Sequence, residues 1–193
     1  SEYLRMEYAP QLPVFHLVGG VDKLTRDEIT GEDPKDGLPV SLDQWIERDG
    51  IFCFKVKLRG NDVDWDVKRT KAVAEVATEA LKHRGRKDFY LSIDSNEMHE
   101  SPESVIEYLG RLKRASPTAF RSLLYIEQPT ERELSAHRFK MHELAKMKPV
   151  LADEGITDID KFRLARELSW SGIALKTCKG HSSALLYVAM AEE

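Results

Sequence analysis

A chain of 193 residues with 41% hydrophobic, 32% charged and 8% aromatic residues can bury a substantial core and reads as one globular domain or a large piece of one. Its 29 basic and 33 acidic residues leave a net charge of -4 and are mixed along the chain, so no basic stripe is available to grip phosphates and nucleic acid is not expected as a partner. No apolar run approaches the roughly 20 residues of a membrane span, and the two cysteines, Cys53 and Cys178, lie too far apart for a metal-type motif; reduced thiols in a cytoplasmic protein are expected.

The first expected strand is PVFHLVG (13–19). The polar, turn-rich segment from Gly19 to Leu42, centred on TGEDPKDGLP, reads as a long loop before a short helix in SLDQWIERDG. A second strand follows in IFCFKVKL (51–58), then a helix in DWDVKRTKAVAEVATEALKHRG. There Val67, Ala74, Val76, Ala77 and Leu81 approximate an apolar stripe, and Gly85 stands where a helix would stop. FYLSID (89–94) is the third strand. It precedes a helix in SPESVIEYLGRLKRA, with Ser101 as N-cap and Pro102 at the first helical position. Strands in SLLYIE (122–127), PVLAD (149–153) and GIALK (172–176) complete the series, with later helices in DIDKFRLARELSW and SSALLYVAMAEE. Strands alternating with helices point to parallel βα units. Both a doubly wound sheet and a (β/α)8 barrel satisfy that alternation. No G-x-G-x-x-G or Walker-type loop follows the early strands, which removes the best evidence for a phosphate site.

Charged residues recur at the strand ends: Lys57, Asp94, Glu127, Asp153 and Lys176, about one βα unit apart. Side chains alternate faces along a strand, so Phe52, Phe54, Val56 and Leu58 share one face while Cys53, Lys55 and Lys57 share the other. By the same period Ser92, Asp94 and Asn96 face together, as do Leu123, Tyr125 and Glu127, and Ala174 and Lys176. An isolated K-x-K suits the wet face of a surface strand. A whole set in order suits the inner, C-terminal mouth of a barrel, where active sites of that fold are built. Converging carboxylates repel unless compensated. Hard oxygen ligands suit Mg²⁺, with Mn²⁺ as substitute, and the bland reading of the same residues is a set of rim ion pairs.

At these residues the chain resembles the barrel domain of the enolase superfamily, of the muconate-lactonising and dipeptide-epimerase type. FKVKL is similar to its K-x-K motif, IDSNE to D-x-N, YIEQP to E-Q-P, LADE to the D-E pair and ALKTCKG to the lysine of strand six. The resemblance runs from residue 13 to the end and implies a (β/α)8 barrel of which about six βα units lie in 13–193, with residues 1–12 a remnant of the capping domain or a lead-in. It implies Asp94, Glu127 and Asp153 as metal ligands, Lys57 and Lys176 as the acid/base pair, and Lys55 as an aid that binds substrate carboxylate or lowers the pKa of its neighbour. Asn96, in the D-x-N motif, is expected to bind substrate. The implied reaction is Mg²⁺-dependent removal of a proton α to a carboxylate through an enediolate, the general pattern of that superfamily. Racemisation, epimerisation, cycloisomerisation and dehydration of a small carboxylic acid all fit that step. A homo-oligomer is implied.

TCKGHSS departs from the glycine pair that follows the strand-six lysine in the family, so Lys179 and His181 share the candidacy of Lys176. The chain stops at AMAEE, inside the expected sixth helix, so strands seven and eight are not in it and a fragment of a longer protein is expected. The alternative function is a non-catalytic barrel fragment with a binding or structural role. His16 and the tryptophans Trp45, Trp65 and Trp170 are expected to pack rather than to act.

Overall fold

A computed structural model describes residue 7 and residues 9–192, so residues 1–6 and 8 of the expected lead-in lie outside the described residues. Its frame is one sheet of six parallel strands in the order β1-β2-β3-β4-β5-β6. The strands are β1 (His16–Val18), β2 (Cys53–Lys57), β3 (Tyr90–Asp94), β4 (Leu123–Glu127), β5 (Val150–Ala152) and β6 (Gly172–Ile173). Each new strand lies beside its predecessor and the order never reverses. A doubly wound sheet reverses at its switch point, so this winding is that of a barrel.

Helices α1 (Leu42–Asp49), α2 (Val63–His83), α3 (Pro102–Ala115), α4 (Pro117–Ser122), α5 (His142–Ala145) and α6 (Ile159–Glu167) connect the strands, and α7 (His181–Glu192) follows β6. Local chemistry sets their ends. Ser41 and Gln44 form a capping box at α1, and Gly50, at φ 66°, closes it in the left-handed region where glycine carries no Cβ penalty. Asp62 accepts the Trp65 N–H at 3.0 Å to start α2. Pro102 opens α3 as expected, but Ser101 makes no side-chain cap bond; Ser104 Oγ instead donates to the Ser101 carbonyl. The helix α4 is not legible in the sequence pattern. Ser116 ends α3 and at once caps α4, accepting the Ala119 N–H, and Pro117 takes the first position of the new helix. The four-residue α5 is also unread, being too short to show a period.

The core lies between the sheet and α2 and α3. Phe54, Val56, Leu91, Ile93 and Ile126 are buried against Val73, Ala74, Ala77 and Leu81 of α2 and Val105, Tyr108, Leu109 and Leu112 of α3. Val76, placed in the expected stripe of α2, is only partly buried, and Val73 takes its place. The Tyr108 hydroxyl, fully enclosed, lies 2.7 Å from Thr70 Oγ1. His16 pairs with Phe54 and so belongs to the helix-facing side, beside Trp45 at 5.2 Å between ring centres; it does not reach the mouth.

Two expectations for the strands need correction. Leu123 does not share a face with Tyr125 and Glu127: Leu91 pairs with Leu123 but Ser92 pairs with Tyr125, so β4 carries an extra residue. That bulge leaves Leu123 in the apolar core, leaves Leu124 42% exposed, and sets Glu127 level with Asp94. The sixth strand is shorter than 172–176. Its last ladder bond runs from the Ala174 N–H to the Ala152 carbonyl, after which β5 has ended in a turn and Leu175 and Lys176 have no partner strand to follow.

Candidate active site

The register carries charge to one end of the sheet. Lys55 pairs with Ser92, Lys57 with Asp94 and Asp94 with Glu127, so Lys57, Asp94 and Glu127 stand side by side at the C-terminal ends of β2, β3 and β4. Asp153 directly follows β5, and Lys176 begins the 3₁₀ turn Thr177–Lys179 after β6. Five of the expected site residues thus meet at one mouth, with Lys55 one layer below.

The ammonium groups thread the acids into a row. Lys55 Nζ lies 2.9 Å from Asp94 Oδ2 and 2.6 Å from Glu127 Oε1. Lys176 Nζ lies 3.8 Å from Glu127 Oε1 and donates to Asp153 Oδ2. Lys57 closes the Asp94 end of the row, donating to Asp94 Oδ2 at 2.5 Å and to Asn96 Oδ1 at 2.8 Å. Lys179 closes the other end, donating to the Asp153 carbonyl at 2.7 Å and to its Oδ1 at 3.2 Å. Asp94, Glu127 and Asp153 are all buried, so their charge demands partners, and the lysines supply them.

The electrostatics follow from that contest. Burial works to raise the Asp94 carboxyl, but hydrogen bonds from Lys57 and Lys55 and from the Asn96 N–H outweigh it and hold the group below the usual carboxylate range. Asp153 is held low in the same way, against burial, by Lys176 and Lys179. Glu127 differs: burial pushes its carboxyl up, only partly opposed by Lys55, and the neighbouring Asp94 and Asp153 add to the rise. Burial lowers Lys55 and Lys176, but their acid partners prevail and raise both above ordinary lysine.

Neighbouring loops brace the row. Asn96 and Glu97 sit at φ 48° and 71°, a region that costs a non-glycine residue energy and recurs at functional sites. The Glu97 N–H donates to the Gln128 carbonyl, the His99 N–H to the Pro129 carbonyl, and the Glu97 carboxylate pairs with the Arg132 guanidinium. Asn96, expected to meet substrate, is held by Lys57. The exposed His181 starts α7 and forms none of the contacts that join Lys176 and Lys179 to Asp153. Two features escaped the sequence pattern: the Glu97–Arg132 clamp, whose partners lie on different loops, and the Asp66 carboxylate, which accepts the Arg59 and Gly60 N–H groups at 2.7 and 2.9 Å just beyond Lys57.

The donor set can be tested for a divalent cation. Three buried carboxylates at adjacent strand ends are hard oxygen donors of the kind Mg²⁺ and Mn²⁺ take. Among the described residues no three acidic or other ligating side chains are gathered closely enough to hold an ion as they stand. Lysine ammonium groups lie between the acids, in the place of a cation, so the residues fit an ion that displaces them.

Fold and site together define an α/β protein of the sequentially wound parallel kind, a partial (β/α) barrel with acids on three central strands and lysines on the strands that flank them. Solved structures similar to it are barrels of the enolase superfamily, as the motifs imply. The chain is 27% identical to a mandelate racemase/muconate lactonizing protein from Herpetosiphon aurantiacus, over 74% of this chain and 37% of that one, with a TM-score of 0.59. It is 26% identical to muconate cycloisomerase from Pseudomonas fluorescens, over 71% and 34% of the two chains, with a TM-score of 0.51. It shares the fold of dipeptide epimerase from Enterococcus faecalis V583, solved with Mg and the dipeptide L-Leu-L-Tyr, at 22% identity over 74% and 36% and a TM-score of 0.54. The chain therefore spans well under half the length of each of these proteins. No family model and no curated protein matches it.

Proposed function

We propose that this barrel serves a Mg²⁺-dependent enzyme that removes a proton α to the carboxylate of a small acid, as a racemase, epimerase or cycloisomerase. The observation that carries the reading is the row Asp94–Glu127–Asp153 with Lys57 at the Asp94 end and Lys176 bridging Glu127 and Asp153. The chemistry needs that combination. A proton beside a carboxylate is very weakly acidic, and its removal requires charge stabilisation together with a base. When bound, Mg²⁺ or Mn²⁺ supplies positive charge that stabilises the negative charge building on the substrate carboxylate, and Asp94, Glu127 and Asp153 are the residues to hold it.

The chain's own residues divide the remaining work. Lys176, kept protonated by Asp153 against its burial, is suited to deliver a proton. Lys57 approaches from the Asp94 end of the row and is suited to take one once it has left Asp94 and Asn96 and given its ammonium proton to solvent. The roles exchange for the opposite enantiomer. Lys55, beneath the row, offers its ammonium to the substrate carboxylate. Names of the similar proteins support this class: racemase, cycloisomerase and dipeptide epimerase, the last solved with Mg. We place the enzyme in the cytoplasm, a placement supported by two unpaired thiols at Cys53 and Cys178, and take it as a homo-oligomer from the family resemblance alone. None of the described helices is long and apolar enough to cross a membrane.

A second reading is favoured by one observation: each of the three acids already has a lysine partner. The barrel would then be a non-catalytic binding or structural unit whose mouth is a network of ion pairs. Calorimetric titration of Mn²⁺ into the wild type and Glu127→Gln separates the two. The first reading expects binding in the wild type and a loss of at least about 100-fold in the variant, beyond the 10–100-fold typical of an outer partner. It also expects exchange of α-protons into deuterated water for some member of a screen headed by L-Leu-L-Tyr and the lactone of muconate, whose α-carbon is saturated. A folded wild type that binds no Mn²⁺ sinks it.

A further inference from the structure

We infer that Gln128 is a positioning residue whose side-chain oxygen sets the end of β5, and with it Asp153, against Glu127. The inference rests on the proposed reading of these acids as cation ligands.

Gln128 follows Glu127 and is 0% exposed. Its Oε1 accepts two backbone N–H groups, of Asp153 at 2.8 Å and of Gly155 at 3.1 Å. Its Nε2 donates to the Thr130 carbonyl at 3.0 Å, which fixes the orientation of the amide. The backbone of the same residue is equally committed. Its N–H donates to the Leu151 carbonyl of β5 and its carbonyl accepts from Glu97, in the loop after β3. One residue thus joins the ends of all three strands that bear the acids. It does so at φ 31°, in the left-handed region that a side chain seldom adopts, so the local strain is maintained by the surrounding bonds. Gly155 shows how close the fit is. A Cβ there would lie 3.0 Å from the Arg132 carbonyl oxygen and 3.3 Å from Gln128 Oε1, so a larger residue would push the loop off the amide.

The consequence for the site is geometric. The Asp153 side chain leaves the backbone at the residue whose N–H Gln128 holds, so its carboxylate is aimed by that bond. Without the acceptor, two buried N–H groups lack a partner and the turn after β5 is free to rotate, carrying Asp153 away from Glu127. Length and bulk alone cannot replace it.

Gln128→Met keeps the side-chain length without an acceptor, and Gln128→Glu keeps the acceptor and, in its protonated form, an O–H donor for the Thr130 carbonyl. The test is Mn²⁺ calorimetry on wild type and both variants, with hydrogen exchange of the Asp153 and Gly155 amides read on the same samples. The expected result is Mn²⁺ binding about tenfold or more weaker in a folded Gln128→Met, with faster exchange of those two amides, and restoration in Gln128→Glu to within about threefold of wild type. Equal Mn²⁺ affinity in wild type and folded Gln128→Met overturns the inference and leaves the proposed function standing. A folded wild type that binds no Mn²⁺ overturns both. Should Gln128→Met not fold, Gln128→Glu decides: protected amides with wild-type binding support the inference, and protected amides with binding lost about tenfold overturn it.

Discussion

His99 is a residue whose charge state the fold controls through burial alone. It is 4% exposed in the loop after β3, with Nδ1 3.1 Å from Ser104 Oγ and its ring 6.4 Å from that of Tyr108. Burial lowers its pKa to about 4. Above the unfolded value near 6.5 both states are neutral there and the group leaves stability unchanged. As pH falls from about 6.5 to about 4 the unfolded chain takes up a proton that the folded chain refuses, so stability drops, by about 3 kcal/mol at most for this group. Urea melts of wild type and His99→Gln across that window are expected to differ by about one proton in slope, the wild type being steeper. Nothing in the sequence distinguished His99 from the other histidines, because its burial depends on α3 closing over the loop. The faces of Lys55, Lys57, Ser92 and Asp94, by contrast, were legible, since a period of two fixes direction. Which carboxylate each lysine would grip was not, because alternation specifies a face and not the path of a long side chain.

At the scale of elements, the loop after β2 is seated on the loop after β3 through Gly60. This residue has φ 75°, and a Cβ would lie 2.7 Å from Met98 Cβ, 2.9 Å from the Met98 carbonyl carbon and 3.0 Å from the His99 nitrogen. Two of those neighbours are backbone and cannot swing aside. Gly60→Ala is therefore expected to lower stability by about 1–3 kcal/mol, from strain and crowding together, measured by denaturant unfolding against Gly85→Ala. The control has a similar φ of 69° but no neighbour within 4 Å, so the difference between the two isolates the contact between loops. The helix start at Pro102 and the stop before Gly85 were readable from local chemistry. The bulge at Leu124 was not: its two-for-one pairing exists only between β3 and β4, and neither segment alone contains it.

For the whole molecule, the rhythm of alternating strands and helices was readable but equally compatible with a sheet that reverses and one that continues; the ordered charges at the strand ends, and the resemblance they carry, chose the barrel. The continuous order leaves β1 and β6 each paired on one side among the described residues. Apolar side chains line those margins, including Leu17 at 52% exposure on β1 and Leu175 at 45% just past β6. Unpaired edges with apolar flanks recruit further strands. A preparation of this 193-residue chain is expected to sediment above its 22.1 kDa mass in a concentration-dependent manner, and Leu17→Lys, a charge on the edge strand, to reduce that association. Sedimentation velocity across a concentration series checks it; a monomer at every concentration contradicts it.

The lysines lodged among Asp94, Glu127 and Asp153 mean that the mouth neutralises itself with internal counterions. On the proposed reading, metal uptake is then an exchange of one positive charge for another, with an affinity equal to the difference between two attractions. Among the groups released by that exchange are Lys57 and Lys176, the two that carry protons, and Lys55, which binds the substrate carboxylate. Loading the site therefore frees its acid and, once Lys57 gives up its proton, its base.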